Sequence, residues 1–336
     1  MEVELQLGRL FESLEVPNAA NENDRVFAAI PIPGYESHRL GKTGSRLPAL
    51  LLTTNKVDKP PKPHPVVLEN LAVEYEVNCR ITQAPRVVEE RTFTVIQCTA
   101  VEPYLHSYFL MIATPLMMML GPEPTLSKVA TLIDGFIEIF RALLLPPKKS
   151  VQGLWGELFL IARSSNPRML VGCWHVTPED RYDFSLGGFR IEVKTAIGRI
   201  RQHQFSLEQL YPPTGTQVII ASILMERAGG GTSLEALITK VKESVQEKPE
   251  LWMHFDRVLA LSLGNSFRAA LDERFDYELA MESLAFYDPA VVPKLSPEVP
   301  IGVSHVHFRS DLSNAVRLTT DEVSRRAKLF QAMQSN

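Results

Sequence analysis

The spacing of apolar positions changes character twice along the chain. Up to about residue 100 the dominant period is two, that of a strand with one buried face. The segments "VVLENLAVEYEVNCRI" and "ERTFTVIQCTAV" alternate apolar and polar residues and predict a long hairpin whose turn contains Pro85. From about 103 to 146 the period lengthens to that of a helix, and the pattern stops at Pro146 and Pro147. The most apolar stretch, "YFLMIATPLMMML" at 108–120, is interrupted by Pro115 and is too short to cross a bilayer, so it reads as a buried helix.

The segment 148–228 changes period more rapidly. "SVQGLWGELFLIARSS" places Val151, Leu154, Trp155, Leu158, Phe159, Ile161 and Ala162 on one helical stripe. "MLVGCWHV" reads as a strand. "RYDFSLGGFRIEVK" follows, two alternating runs about Gly187 and Gly188, which is the pattern of a β-hairpin. A short helix around "SLEQL" can be capped by Ser206 and stopped by Pro212, and "TQVIIASILM" reads as a strand buried on both faces. The predicted order is αβββαβ. A glycine-rich link, "ERAGGGTS", leads to a mixed α/β part in which Thr232 and Glu235 form a capping-box pattern. The pattern therefore divides the chain into 1–147, β-rich and then helical; 148–228, a core unit; and 229–336, a C-terminal part packing on that core.

Composition narrows the function classes. With 336 residues, 45% of them hydrophobic, the chain can bury one large or two moderate cores. A net charge of -4 supplies no global attraction to nucleic acid or anionic membrane, so a polyanion site must be local. Cys79, Cys98 and Cys173 are odd in number and widely spaced, which suggests neither a disulfide framework nor a cysteine zinc site and implies a reducing compartment. "MEVELQLGRLFESLE" has acids where a secretory signal would carry basic residues. The expectation is a soluble, cytoplasmic protein with no membrane partner.

The hairpin at 181–194 is where chemistry enters. Folding about Gly187 and Gly188 puts Tyr182, Phe184, Leu186, Phe189, Ile191 and Val193 on a core face and Arg181, Asp183, Ser185, Arg190, Glu192 and Lys194 on the other. Asp183 then lies opposite Glu192, at a β-carbon separation of roughly 5 Å where like charges destabilise. A divalent cation would relieve that repulsion, as would Asp183→Asn, which should then raise metal-free stability. Mg²⁺ suits two carboxylates while keeping waters for a phosphate substrate. Lys194, two residues beyond Glu192 on the same face, could orient a metal-bound water. The plainer reading is a surface on which these charges neutralise one another. An acid-x-Lys tripeptide alone arises by chance about once in a chain of this length. The opposed acid and the flanking element order set this one apart.

These residues resemble the PD-(D/E)XK nuclease superfamily, with its restriction-endonuclease-like α/β (α+β) fold. Asp183 matches the first acid, and Glu192 with Lys194 matches the second motif, while Tyr182 stands where the name-giving proline would be. The resemblance implies a Mg²⁺-dependent endonuclease acting on DNA, with Mn²⁺ as a substitute ion. It also implies that an acid on the first core helix, here Glu157, completes the metal site with Asp183 and Glu192. Gly153 and Gly156 beside Glu157 suggest close approach of another backbone. "GLWGELFLI", "DF", "IEVKT" and "RQHQFSLEQL" are similar to a branch found in prokaryotic restriction-like and anti-phage gene clusters, which implies other defence proteins as partners.

Between residues 190 and 203, four basic residues (Arg190, Lys194, Arg199, Arg201) outnumber the single acid Glu192. Arg190, Arg199, Arg201, His203 and Gln209 are accordingly candidates for contact with the nucleic acid, His203 and Gln209 rather as polar supports beside the site. Cutting both strands of a duplex requires two active sites, hence a homodimer or a partner. His305 and His307 could chelate from one strand face but lack a third ligand nearby. Two rivals remain: a non-catalytic nucleic-acid-binding subunit that keeps the fold, and an adaptor whose outer parts bind other components.

Overall fold

Alternating strands can bury one face by closing on themselves, and the first part of the chain does so. In the computed structural model, which describes residues 7–17, 25–55, 61–83, 86–177 and 180–334, the chain forms two compact units. The first comprises 1–145 and 248–260, the second 146–247 and 261–336.

After α1 (Leu7–Ser13), the first unit carries β1 (Val26–Ile32), β2 (Tyr35–Lys42), β3 (Pro48–Leu52), β4 (Val66–Val67), β5 (Leu71–Gln83) and β6 (Arg86–Cys98). Pairing runs β1-β2-β3-β6-β5 and returns from β5 to β1 through a parallel contact, so the sheet closes and those five strands leave no long open edge. Phe27, Ala29, Ala49, Leu51, Cys79, Ile81, Phe93 and Val95 fill the interior. The long hairpin is β5–β6; its turn at Pro85 lies outside the described residues. Helices α2 (Pro103–Leu120) and α3 (Leu126–Ala142) follow, with Phe109 edge-on to Phe136 at 5.4 Å. Among the described residues, no helix is long and apolar enough to cross a membrane.

The second unit opens with α4 (Val151–Arg163) and α5 (Pro167–Cys173), then β7 (Phe184–Leu186), β8 (Phe189–Ile197), β9 (Gln202–Ser206), α6 (Leu207–Leu210) and β10 (Gln217–Met225). It continues through β11 (Arg227–Ser233), α7 (Leu234–Val245), α8 (Pro249–Leu263), whose residues 249–260 belong to the first unit, α9 (Phe267–Ala270), β12 (Arg274–Phe275) and α10 (Tyr277–Ser283). The chain ends with β13 (Ala285–Tyr287), β14 (His307–Asp311), α11 (Thr320–Arg326) and α12 (Lys328–Ala332). The central sheet has the order β13-β10-β8-β7. β8 and β10 are parallel, joined by the crossover through β9 and α6, whereas β7 and β13 run antiparallel at the edges. The fold is thus mixed α+β.

Two predicted elements differ, and one strand forms that the pattern did not predict. "MLVGC" is helix α5, not a strand: Asn166 caps it by accepting from Met169 N at 3.0 Å, and Pro167 occupies the first turn. A short apolar run cannot separate the two by periodicity, and here the cap decides. β9 is the added strand, outside the central sheet, and pairs with β14. The glycine-rich link is strand β11, where a Cβ at Gly231 would collide with the Phe275 backbone of β12, and α7 is capped by Ser233 rather than Thr232. The observed order is therefore ααβββαβ.

Candidate metal and active site

The β7–β8 ladder pairs Phe184 with Ile191 and Leu186 with Phe189. Continuing that register by one step sets Asp183 across from Glu192. Asp183 Oδ2 accepts from Val193 N at 2.8 Å, which fixes the carboxylate against β8. Tyr182, Phe184, Ile191 and Val193 are buried, while Leu186 at the hairpin tip is exposed. Both acids are buried too, Asp183 at 7% exposure and Glu192 at 5%, so neither belongs to a solvated surface. Each face of β8 is covered. α4 lies over Val193 and Thr195 so closely that a Cβ at Gly156 would collide with Thr195 Cγ2. β9 and α6 cover the other face, where Lys194 Nζ sits 5.0 Å from the Phe205 ring centre.

Two charge clusters result. The first surrounds Asp183. Glu157, buried on α4, accepts from Trp174 Nε1 at 2.7 Å and lies 2.9 Å from His175 Nε2. The Lys149 ammonium contacts Glu157 Oε1, Asp183 Oδ1 at 2.9 Å and His175 Nε2 at 2.6 Å. His175 adopts a left-handed backbone (φ 42°), costly for a residue other than glycine, and its N–H donates to Asp183 O at 3.0 Å. Burial alone would raise the Asp183 carboxyl, but Lys149 and the hydrogen bond from His175 outweigh it and hold Asp183 well below the ordinary range. For His175, burial opposes the charge, yet Asp183 and Glu157 raise it to about 9.

The second cluster surrounds Glu192. Its Oε1 takes Lys194 Nζ at 2.6 Å and Gln209 Nε2 at 2.7 Å. Gln209 is itself oriented by Ser206 N, which donates to its Oε1 at 3.1 Å, as does Lys194 Nζ at 3.1 Å. Burial pushes Glu192 up to about 7; Lys194 works against this and Asp183 adds to it. Glu192 Oε2 is buried and has no hydrogen-bond partner among the described residues.

A divalent ion fits this donor set. Glu157, His175 and Asp183 each offer a ligand atom, all within 4.8 Å of one another. Two carboxylates suit a hard cation, and an imidazole broadens the choice toward Mn²⁺. The orphaned Glu192 Oε2 is an acceptor that a metal or its water would satisfy.

The basic run is divided by the fold. Arg199 is exposed, and Arg190 is half-buried with its guanidinium on the carbonyls of Gly187 and Phe189. Arg201 corrects the expectation of phosphate contact: it is 4% exposed, donates to Ser222 Oγ at 2.8 Å and caps the Ser283 carbonyl. A guanidinium spent on internal acceptors cannot reach a phosphate. His203 is likewise buried against Ser222 Oγ at 2.7 Å, and burial pushes its imidazole down to about 4. Gln209 ties Glu192 to Lys194. His307 opens β14, His305 precedes it, and both are exposed.

Lys149, Trp174 and His175 were not among the residues singled out from the sequence. Lys149 is one of two lysines before a capped helix, which reads as surface, and His175 ends a short apolar run whose pattern suits a strand. The usable signal was Trp174: a buried indole N–H needs an acceptor, and the nearest candidate acids were already named.

No curated protein and no solved structure matches this chain. A family model described as "Putative PD-(D/E)XK family member, (DUF4420)" matches residues 7–313, nearly the whole length, and the chain belongs to that family.

Proposed function

We propose that this protein is a divalent-metal-dependent endonuclease that hydrolyses phosphodiester bonds in DNA, serving in the cytoplasm as the nuclease of a prokaryotic restriction-like, anti-phage system. The observation that carries the reading is the buried pairing of Asp183 with Glu157 and His175 beside Glu192 and Lys194, with Glu192 Oε2 left unsatisfied. Asp183, Glu157, Glu192 and His175 would hold Mg²⁺ or Mn²⁺. The ion would supply Lewis acidity toward a phosphoryl oxygen and acidify bound water. Lys194, fixed by Glu192 and Gln209, is the group that holds the attacking water and the anionic phosphate. Arg199 and Arg190 would meet the flanking backbone, and a second copy or a partner protein would supply the second cut.

The non-catalytic reading keeps one observation in its favour: Lys149 already neutralises Glu157 and Asp183 without an ion. A plasmid cleavage assay with Mg²⁺, Mn²⁺ or chelator decides between them. Cleavage by wild type that Lys194→Ala lowers on the order of 10²–10⁴-fold supports the nuclease. DNA binding without cleavage in any ion supports a nucleic-acid-binding adaptor.

A further inference from the structure

We infer that Lys149 is a built-in counter-cation that occupies the position of the divalent ion between Glu157 and Asp183, so that metal binds by displacing it. This rests on the metal-dependent reading above and adds what sets the affinity of that site.

The geometry carries the inference. The Lys149 ammonium reaches three of the four groups assigned to the metal: Glu157 Oε1, Asp183 Oδ1 at 2.9 Å and His175 Nε2 at 2.6 Å. A divalent ion sharing those atoms would need the same space and would place two positive charges beside a third. An ammonium and a divalent cation a few ångströms apart in a buried site repel strongly, because little water screens them. One of them leaves.

Lys149 is built to leave. It precedes the N-cap Ser150, and its backbone is anchored by Lys149 N donating to Ser262 O at 3.2 Å, so the side chain can swing without moving α4. Its side chain is 26% exposed, against 4% for Glu157 and 10% for Asp183, which leaves a route to solvent open to the lysine and to neither acid. His175 also gains: its Nε2 sits between a donor and an acceptor and cannot donate to Glu157 and accept from Lys149 at once.

Two consequences follow. The cluster stays compensated without an ion, so the unit folds metal-free. The apparent metal affinity is reduced by the fraction of molecules in which Lys149 is already out; if that fraction is about one in ten or lower, the reduction is about tenfold or greater.

The test is calorimetric titration with MnCl₂, without DNA, of wild type, Lys149→Met and Lys149→Arg. Methionine keeps the aliphatic stem and removes the charge, so Lys149→Met should bind Mn²⁺ about tenfold or more tightly. Lys149→Arg should stay within a few fold of wild type. If Lys149→Met is recovered only when Mn²⁺ is present, the ion is replacing the ammonium and the inference stands. Equal or weaker binding by folded Lys149→Met, with wild type binding normally, overturns the inference and leaves the nuclease reading intact. Absence of Mn²⁺ binding in both proteins overturns both.

Discussion

In the β5–β6 hairpin, charged residues meet opposite charges near the surface: Arg80 faces Glu90, and Arg39 of β2, one strand beyond β3, reaches Glu89 at 3.2 Å. In the β7–β8 hairpin two acids fall across from each other, and both are buried. The first arrangement is what a closed barrel needs on its outer side. The second costs stability unless other groups compensate, and the fold compensates the two acids unequally. Lys149 and His175 surround Asp183, whereas Glu192 has Lys194 and Gln209 on one oxygen and, among the described residues, no partner on the other. Buried carboxylates pushed in opposite directions in this way cluster at functional sites.

The largest effect that would break this comparison is at Asp183. Viewed only as one of two opposed acids, Asp183 should be better removed, and Asp183→Asn should stabilise the metal-free protein. The structure reverses that sign. Asp183 is the compensated acid, so its neutralisation leaves Lys149 and His175 sharing the single carboxylate of Glu157 in a buried site, and breaking a buried pair in this way costs about 3–5 kcal/mol. Metal-free urea denaturation at pH 7 should show the loss; a variant at least as stable as wild type would mean that the opposed acids, and not the lysine, dominate.

Repulsion is instead relieved at Glu192. Its folded-state value of about 7 lies above the ordinary glutamate value, so the folded protein takes up the proton more readily than the unfolded chain. Stability from this group is complete below the unfolded value near 4.5 and is lost as pH rises toward 7. Glu192→Gln removes that titration. Relative to wild type the variant should be unchanged near pH 4.5 and gain stability through pH 8, by at most about 3 kcal/mol. A difference between the two that does not vary with pH would assign the acid's charge to a well-paired state. Asp183→Asn and Glu192→Gln should therefore move metal-free stability in opposite directions at pH 8, though the side chains stand across one hairpin.

How far the sequence reveals this depends on the range of the interaction. Alternation about Gly187 and Gly188 is local, so the facing of Asp183 and Glu192 could be read from it, as could the stripe of α4, the buried run of β10 and the Ser206 cap. The Lys149–Asp183 contact spans 34 positions and joins a pre-helical lysine to a strand end, which no periodicity encodes. Direction was also hidden in the basic run. Counting charges from 190 to 203 treats Arg199 and Arg201 alike, yet β9 continues an alternation in which Arg201, His203 and Phe205 turn inward. That alternation is present in the sequence, but a count of charges does not register it. Asn166 and Pro167 likewise signalled the start of α5 before an apolar run that also suits a strand.

The third prediction concerns how α4 brings Glu157 to the site. The close neighbour of Gly156 is a side chain, Thr195 Cγ2, where the adjacent glycines suggested a backbone. Gly156→Ala should cost about 1–3 kcal/mol through overpacking and weaken Mn²⁺ binding by shifting Glu157. Thr195→Ser removes the clashing methyl and keeps the hydroxyl that accepts from Gln152 Nε2 at 3.1 Å, so the double variant should recover most of both losses. Additive effects in that cycle would separate α4 packing from the site.

The smallest expected effect lies in the barrel. Glu74 of β5 holds Arg25 in a two-point contact, Nη2 to Oε1 at 2.6 Å and Nε to Oε2 at 3.2 Å, which is good geometry for an ion pair. Yet both side chains are about two-fifths exposed, 45% for Arg25 and 40% for Glu74, so water already solvates the charges that the contact brings together. Exposed pairs of this kind contribute about 0–1 kcal/mol because the Coulomb gain is screened and two long side chains lose freedom. Glu74→Ala should accordingly destabilise by less than about 1 kcal/mol, and the difference should shrink further in 1 M salt, where the screening length falls to about 3 Å. Asp183→Asn, measured the same way, should lose several times more and respond little to salt, because its partners are buried. If Glu74→Ala proved the costlier substitution, or the salt-insensitive one, burial would not be what distinguishes the two hairpins. The compensation around Asp183 would then be ordinary surface pairing.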